Sequence, residues 1–168
     1  MEVTCPVGLD PSLWDLAVSR REISLTYPSH RETPDASPIR EYIGLRGEEA
    51  FAVLIGRRWF PNMSGRGDNG IDFRVHIEGR LYSLDVKTTM RRPPVLRVCT
   101  SARRLASLYV LAFWTEGVRR PKDVAFLGWA TRPEVLAAPD CNDWPGHPCK
   151  ALQAGKLRKM IHLLDMIE

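Results

Sequence analysis

Two aspartates and a lysine in the middle of the chain have the spacing to act together. Residues 71–77 alternate, with Ile71, Phe73, Val75 and Ile77 apolar and Asp72, Arg74 and His76 between them, which is the period of a half-buried strand. Residues 81–88 supply the return strand across a two-residue turn at Glu78-Gly79. With Ile77 opposite Arg80, Asp72 falls opposite Asp85, and opposite residues of an antiparallel pair project to one face with Cβ atoms about 5 Å apart. Lys87, two residues beyond Asp85, shares that face. Facing carboxylates repel one another, yet two hard oxygen ligands so placed suit a divalent cation. A lysine beside them is a fixed positive charge that can offset negative charge developing in a reaction. The competing reading is the solvated polar face of a surface hairpin.

The elements that must position these residues can be sketched from pattern. Residues 1–38 carry five prolines and little periodicity, so they read as an N-terminal arm with a short helix over 12–20. A helix is expected from 39 to 58, broken or delayed by Gly44 and Gly47, with an all-apolar second half at 50–55. Such a stretch lies against a sheet with something else covering it. Residues 61–70 form a glycine- and Asx-rich loop. After the hairpin come a third strand at 95–98, a short basic helix at 101–106, a buried strand at 108–114, a strand at 123–130 and a short helix at 132–138. A loop fills 141–148, and Leu157, Met160, Ile161, Leu164 and Ile167 give the tail, 151–167, the spacing of an amphipathic helix.

With 168 residues, 44% of them hydrophobic and 26% charged, the chain reads as one globular domain that can bury roughly two thirds of its unfolded surface. Four cysteines without a CxxC pair read as reduced thiols. The longest apolar runs fall far short of the roughly 20 residues that span a bilayer, and no signal-peptide core precedes them, so a cytoplasmic, intracellular protein is expected. The net charge is only +4, but its distribution is uneven. Six basic residues and no acid lie between Val86 and Thr115 (Lys87, Arg91, Arg92, Arg97, Arg103 and Arg104). Four more lie between Trp144 and Leu164, again without an acid. Clusters of this kind are where phosphates dock.

Gly47-Glu48-Glu49-Ala50, then Gly67-Asp68-Asn69-Gly70-Ile71-Asp72-Phe73, then Asp85-Val86-Lys87 resemble the helix glutamate, first-strand aspartate and (D/E)-x-K strand of the PD-(D/E)xK, or restriction-endonuclease-like, nuclease superfamily. The resemblance runs from residue 39 to about 114; Ile71 stands where the literal signature has proline. It implies an α/β fold, a mixed central sheet flanked by helices with an αβββαβ core, here carrying an N-terminal arm and C-terminal strand and helix additions. It implies a deoxyribonuclease using Mg2+ or Mn2+, of the kind that serves DNA recombination, repair or viral DNA processing. Carried over, Asp72 and Asp85 would hold the metal with the Val86 backbone carbonyl, and Lys87 would orient or activate the attacking water.

Periodicity leaves open whether Glu48 or Glu49 faces the sheet; the family's G-E-x-A pattern selects Glu48 as catalytic and as a further metal ligand. Asp68 is an alternative acid, although an Asx turn explains it. Arg91, Arg92, Arg103 and Arg104 are the candidate DNA contacts. Cys141, His147 and Cys149 lie within nine residues of one another, a zinc pattern that matches no standard finger. The expected partner is DNA and not a membrane, with a homodimer left open. A catalytically inactive nucleic-acid-binding module of the same fold, and an interaction protein with a coincidental D-x-K, are the alternatives.

Overall fold

The computed structural model describes residues 3–6, 11–25, 38–61, 71–100, 105–114, 123–141 and 148–168. The hairpin forms in the expected register: β2 (Phe73–Ile77) pairs antiparallel with β3 (Arg80–Thr89), Ile77 opposite Arg80 and Phe73 opposite Leu84. Glu78 and Gly79 both take positive φ, 50° and 72°, as a two-residue turn matched to strand twist requires. β3 then runs parallel to β5 (Leu108–Trp114), which pairs antiparallel with β6 (Asp123–Thr131). The segment read as an arm supplies the far edge of this sheet, β1 (Val3–Pro6), and a helix, α1 (Pro11–Leu25). The result is a mixed five-stranded sheet in the order β1-β6-β5-β3-β2.

α2 (Pro38–Leu54) runs unbroken through Gly44 and Gly47 and ends four residues earlier than expected. Gly47 does not interrupt the helix because it is where the helix rests on the sheet: a Cβ there would stand 1.8 Å from Thr88 Oγ1. Ala50 and Phe51 of α2 pack with Leu84, Val86 and Val110 on one face of the sheet. Leu13 and Ala17 of α1 meet Tyr42, Leu45 and Trp114 at the end of that layer. The opposite face is covered by a second, three-stranded sheet, β4 (Val95–Cys99), β8 (Cys149–Gln153) and β7 (Asp140–Cys141), with α3 (Arg132–Leu136) beside it. Covered on both sides, β5 is buried at every residue, which is why it reads as an unbroken apolar run.

Three expectations give way here. The strand at 95–98 forms, but joins the second sheet instead of the central one. The tail is not one helix: β8 is followed by a 3-10 turn at Ala154–Lys156, a bridge from Arg158 to Trp129, and the short α4 (Met160–Leu164). Leu157 packs in the apolar layer between the two sheets, whereas Met160 and Leu163 sit in the layer beneath α2, and no single helix reaches both. Cys141 and Cys149 are joined as a disulfide, because the β7–β8 register sets them directly opposite. That bond takes two of the three groups of the zinc pattern; His147 lies outside the described residues, as do Asp68 and most of the expected helix at 101–106. Among the described residues no helix is long and apolar enough to cross a membrane.

Candidate active site

β3 outruns its hairpin partner after Leu84, the last residue in register with β2. Asp72, which pattern sets opposite Asp85, lies one step beyond the ladder. Its N–H donates to the Leu84 carbonyl at 2.9 Å, and its Oδ2 accepts from the Val86 N–H at 2.7 Å. The carboxylate thus replaces the next ladder acceptor. A strand residue's N–H and C=O leave the same edge, so the Val86 carbonyl opens on the side where Asp72 stands.

Asp85 is 3% exposed. Lys87 Nζ donates to its Oδ1 at 2.7 Å, and the lysine side chain keeps 40% of its surface in solvent. The lysine therefore links a buried carboxylate to the outside. Asp85 is also in register with Tyr109 across the parallel pair, a juxtaposition anchored where the Ser107 N–H donates to Ser83 Oγ at 2.9 Å. The Tyr109 hydroxyl is buried beside the Ala106 backbone. Burial, reinforced by the Asp85 carboxylate, pushes its phenol above the ordinary 10.0, against a smaller pull from Lys87. Sequence reasoning passed over Tyr109; the available signal was a phenol in a strand otherwise apolar.

Glu48 lies on α2, which packs on the other face of the sheet. Glu48 is buried at 9% exposure, whereas Glu49 is half-buried and paired with the buried Arg46 at 2.6 Å. Packing thus selects Glu48 as the inward glutamate. Its Oε1 lies 3.5 Å from Arg20 of α1, which also reaches Glu41 at 3.5 Å. Among the described residues no three His, Cys, Asp or Glu side chains converge on one point. The oxygen donors at the hairpin's open end are then two aspartates and one backbone carbonyl. That set fits magnesium, which takes one or two carboxylates and completes its shell with water and substrate phosphate.

Next to Lys87 opens a cleft of about 350 Å³ between the first half of α2, the end of β3 and β4. Arg91 lines it, and so do two arginines outside the expected set, Arg40 and Arg97. Arg92 instead stacks its guanidinium 5.1 Å over the Phe113 ring, and Arg103 and Arg104 lie outside the described residues. Comparison with protein-family models, with curated proteins and with solved structures gives no match. The chemistry of the site has to be read from its own geometry.

Proposed function

We propose that the chain is a metal-dependent nuclease of restriction-endonuclease-like architecture that hydrolyses DNA phosphodiesters. One observation carries the reading: where β2 leaves β3, Asp72 accepts from the Val86 N–H and Lys87 pairs with Asp85, beside a cleft lined by cations. Asp72 and Asp85 would hold Mg2+ or Mn2+ with the Val86 carbonyl. Such an ion, when bound, supplies Lewis-acid polarisation of a phosphoryl oxygen and eases ionisation of water. Lys87 orients the attacking water and offsets charge growing on the phosphorane oxygens, a role that its position beside Asp85 prepares. Arg40, Arg91 and Arg97 position the phosphate chain without reading bases.

A second reading, a binding module of the same fold without cleavage, is favoured by the engagement of Glu48 with Arg20. Incubation with a panel of labelled single strands, duplexes, flaps and junctions, with and without magnesium, separates the two. Magnesium-dependent cleavage by wild type and none by Asp85→Ala is the expected result. Binding without cleavage on every substrate, in magnesium and in manganese, would leave the module.

A further inference from the structure

The cleft beside Lys87 joins two kinds of surface that a duplex backbone alone would not need. Its cations come from three separate elements: Arg40 from α2, Lys87 and Arg91 from the end of β3 and the residues after it, and Arg97 from β4. No acidic side chain among the described residues lines it. Its remaining wall is largely aliphatic, with Ile43, Met90, Val95 and the buried Leu111. Phosphates explain the arginines but not this apolar wall. In a duplex, bases are stacked on their neighbours and paired at their edges, so none can present its face to a side wall. An unpaired nucleotide can, with its base on the apolar surface and its phosphate at the cationic rim. The volume, about 350 Å³, lies at the lower end of the roughly 300–1,000 Å³ of clefts that hold one small ligand.

We infer that this cleft receives one unpaired nucleotide of a DNA single strand, placing the adjoining phosphate beside Lys87. The inference rests on the nuclease reading for its consequence, which is a preference for single-stranded or frayed DNA, but the binding it requires does not depend on cleavage. Arg97 and Arg40 grip the phosphates flanking the seated nucleotide, and Met90 and Val95 contact its base.

The test is a binding titration of the full chain in EDTA with a short labelled single strand, a blunt duplex of the same length, and deoxyadenosine monophosphate as competitor. The single strand is expected to bind at least about tenfold more tightly than the duplex, and the mononucleotide to compete with it. Arg97→Ala and Arg40→Ala should each weaken single-strand binding several-fold more than they weaken duplex binding; Arg97→Lys guards against a folding defect by keeping the charge. Equal affinity for the two DNA forms, or equal losses on both in the variants, would overturn the inference. Tight mononucleotide binding without a single-strand advantage would overturn it too, in favour of a free nucleotide as ligand. Cleavage is scored separately in magnesium. A lost preference with cleavage intact sinks the cleft alone, whereas a preference with no cleavage supports the cleft and sinks the hydrolase.

Discussion

Asp85 and Lys87 stand two apart on β3, so their side chains leave one face, and the 2.7 Å contact between them divides their tasks. A lysine cannot ligate a cation, so Lys87→Ala should lower single-turnover cleavage by about 100-fold or more while calorimetric magnesium binding stays near wild type. Asp85→Ala should lose both. Because such residues work as a unit, the double variant should be little worse than either single one; near-wild-type turnover by Lys87→Ala would exclude its role. Tyr109 gives an optical report on the Asp85 carboxylate. Its phenol is held neutral above 10.0, by burial first and the Asp85 carboxylate second. In an alkaline absorbance titration, a tyrosine transition should therefore appear above the ordinary 10.0, and Asp85→Asn should bring it part of the way back. The sign for stability follows: above pH 10 the unfolded chain releases this proton first, so Tyr109 disfavours the folded state as pH rises.

At the scale of elements, the approach of α2 to β3 depends on one absent side chain. A Cβ at Gly47 would meet Thr88 Oγ1 at 1.8 Å and Thr88 Cβ at 3.0 Å. Gly47→Ala should cost about 1–3 kcal/mol by overpacking, despite the better helix propensity of alanine. Adding Thr88→Ala should recover part of the loss in urea denaturation, since it removes the nearer obstacle and leaves the farther one; full additivity of the two losses would mean that the contact is not what matters. A second joint holds α3 to the tail. Glu134 Oε2 accepts from the N–H and hydroxyl of Thr131, both at 2.7 Å, and its Oε1 accepts from Arg158 at 2.9 Å. Burial acts to raise the Glu134 pKa, but the Thr131 donors and Arg158 outweigh it, and the carboxyl lies below its ordinary 4.5. Its contribution is therefore full above pH 4.5 and fades as pH falls through the lower folded value. Glu134→Gln should flatten that acid-side slope, and Glu134→Ala should lose about 0.5–1 kcal/mol of capping at neutral pH.

Across the whole molecule, the +4 charge is weak as a net field but strong where acids are absent. The C-terminal basic cluster is partly occupied: Lys150 pairs with Asp140 at 3.0 Å, and Arg158 pairs with Glu134 and lies 5.0 Å over Trp129. The segment after β3 is the path proposed for phosphates because of its place beside the cleft. If Arg103 and Arg104 extend that path, replacing both with Ala should make the salt dependence of duplex binding shallower by up to about two units, at roughly 0.9 per phosphate neutralised. Titration in calcium at several salt concentrations reads this, with affinity falling about equally on every sequence. An unchanged slope would move the path to Lys150, Lys156, Arg158 and Lys159.

What could be read before any fold was known is what short-range chemistry governs. The two-residue turn and the strand period set the register of β2 on β3, and with it the nearness of Asp72, Asp85 and Lys87. The unbroken apolar run of β5 announced a strand covered on both faces. Other features answer to contacts between residues far apart in the chain. Gly47 reads as a helix breaker until Thr88 lies against it. Met160 and Leu163 keep helical spacing only over the short α4, because Leu157 is claimed by the opposite layer. Cys141 and Cys149, eight apart, show no pairing until two short strands align them. Glu48 is buried more deeply than Glu49, beside Arg20 of α1, although both occupy the same turn. The cleft has no local signature at all: α2, β3 and β4 each supply part of its rim, and only their convergence makes a site.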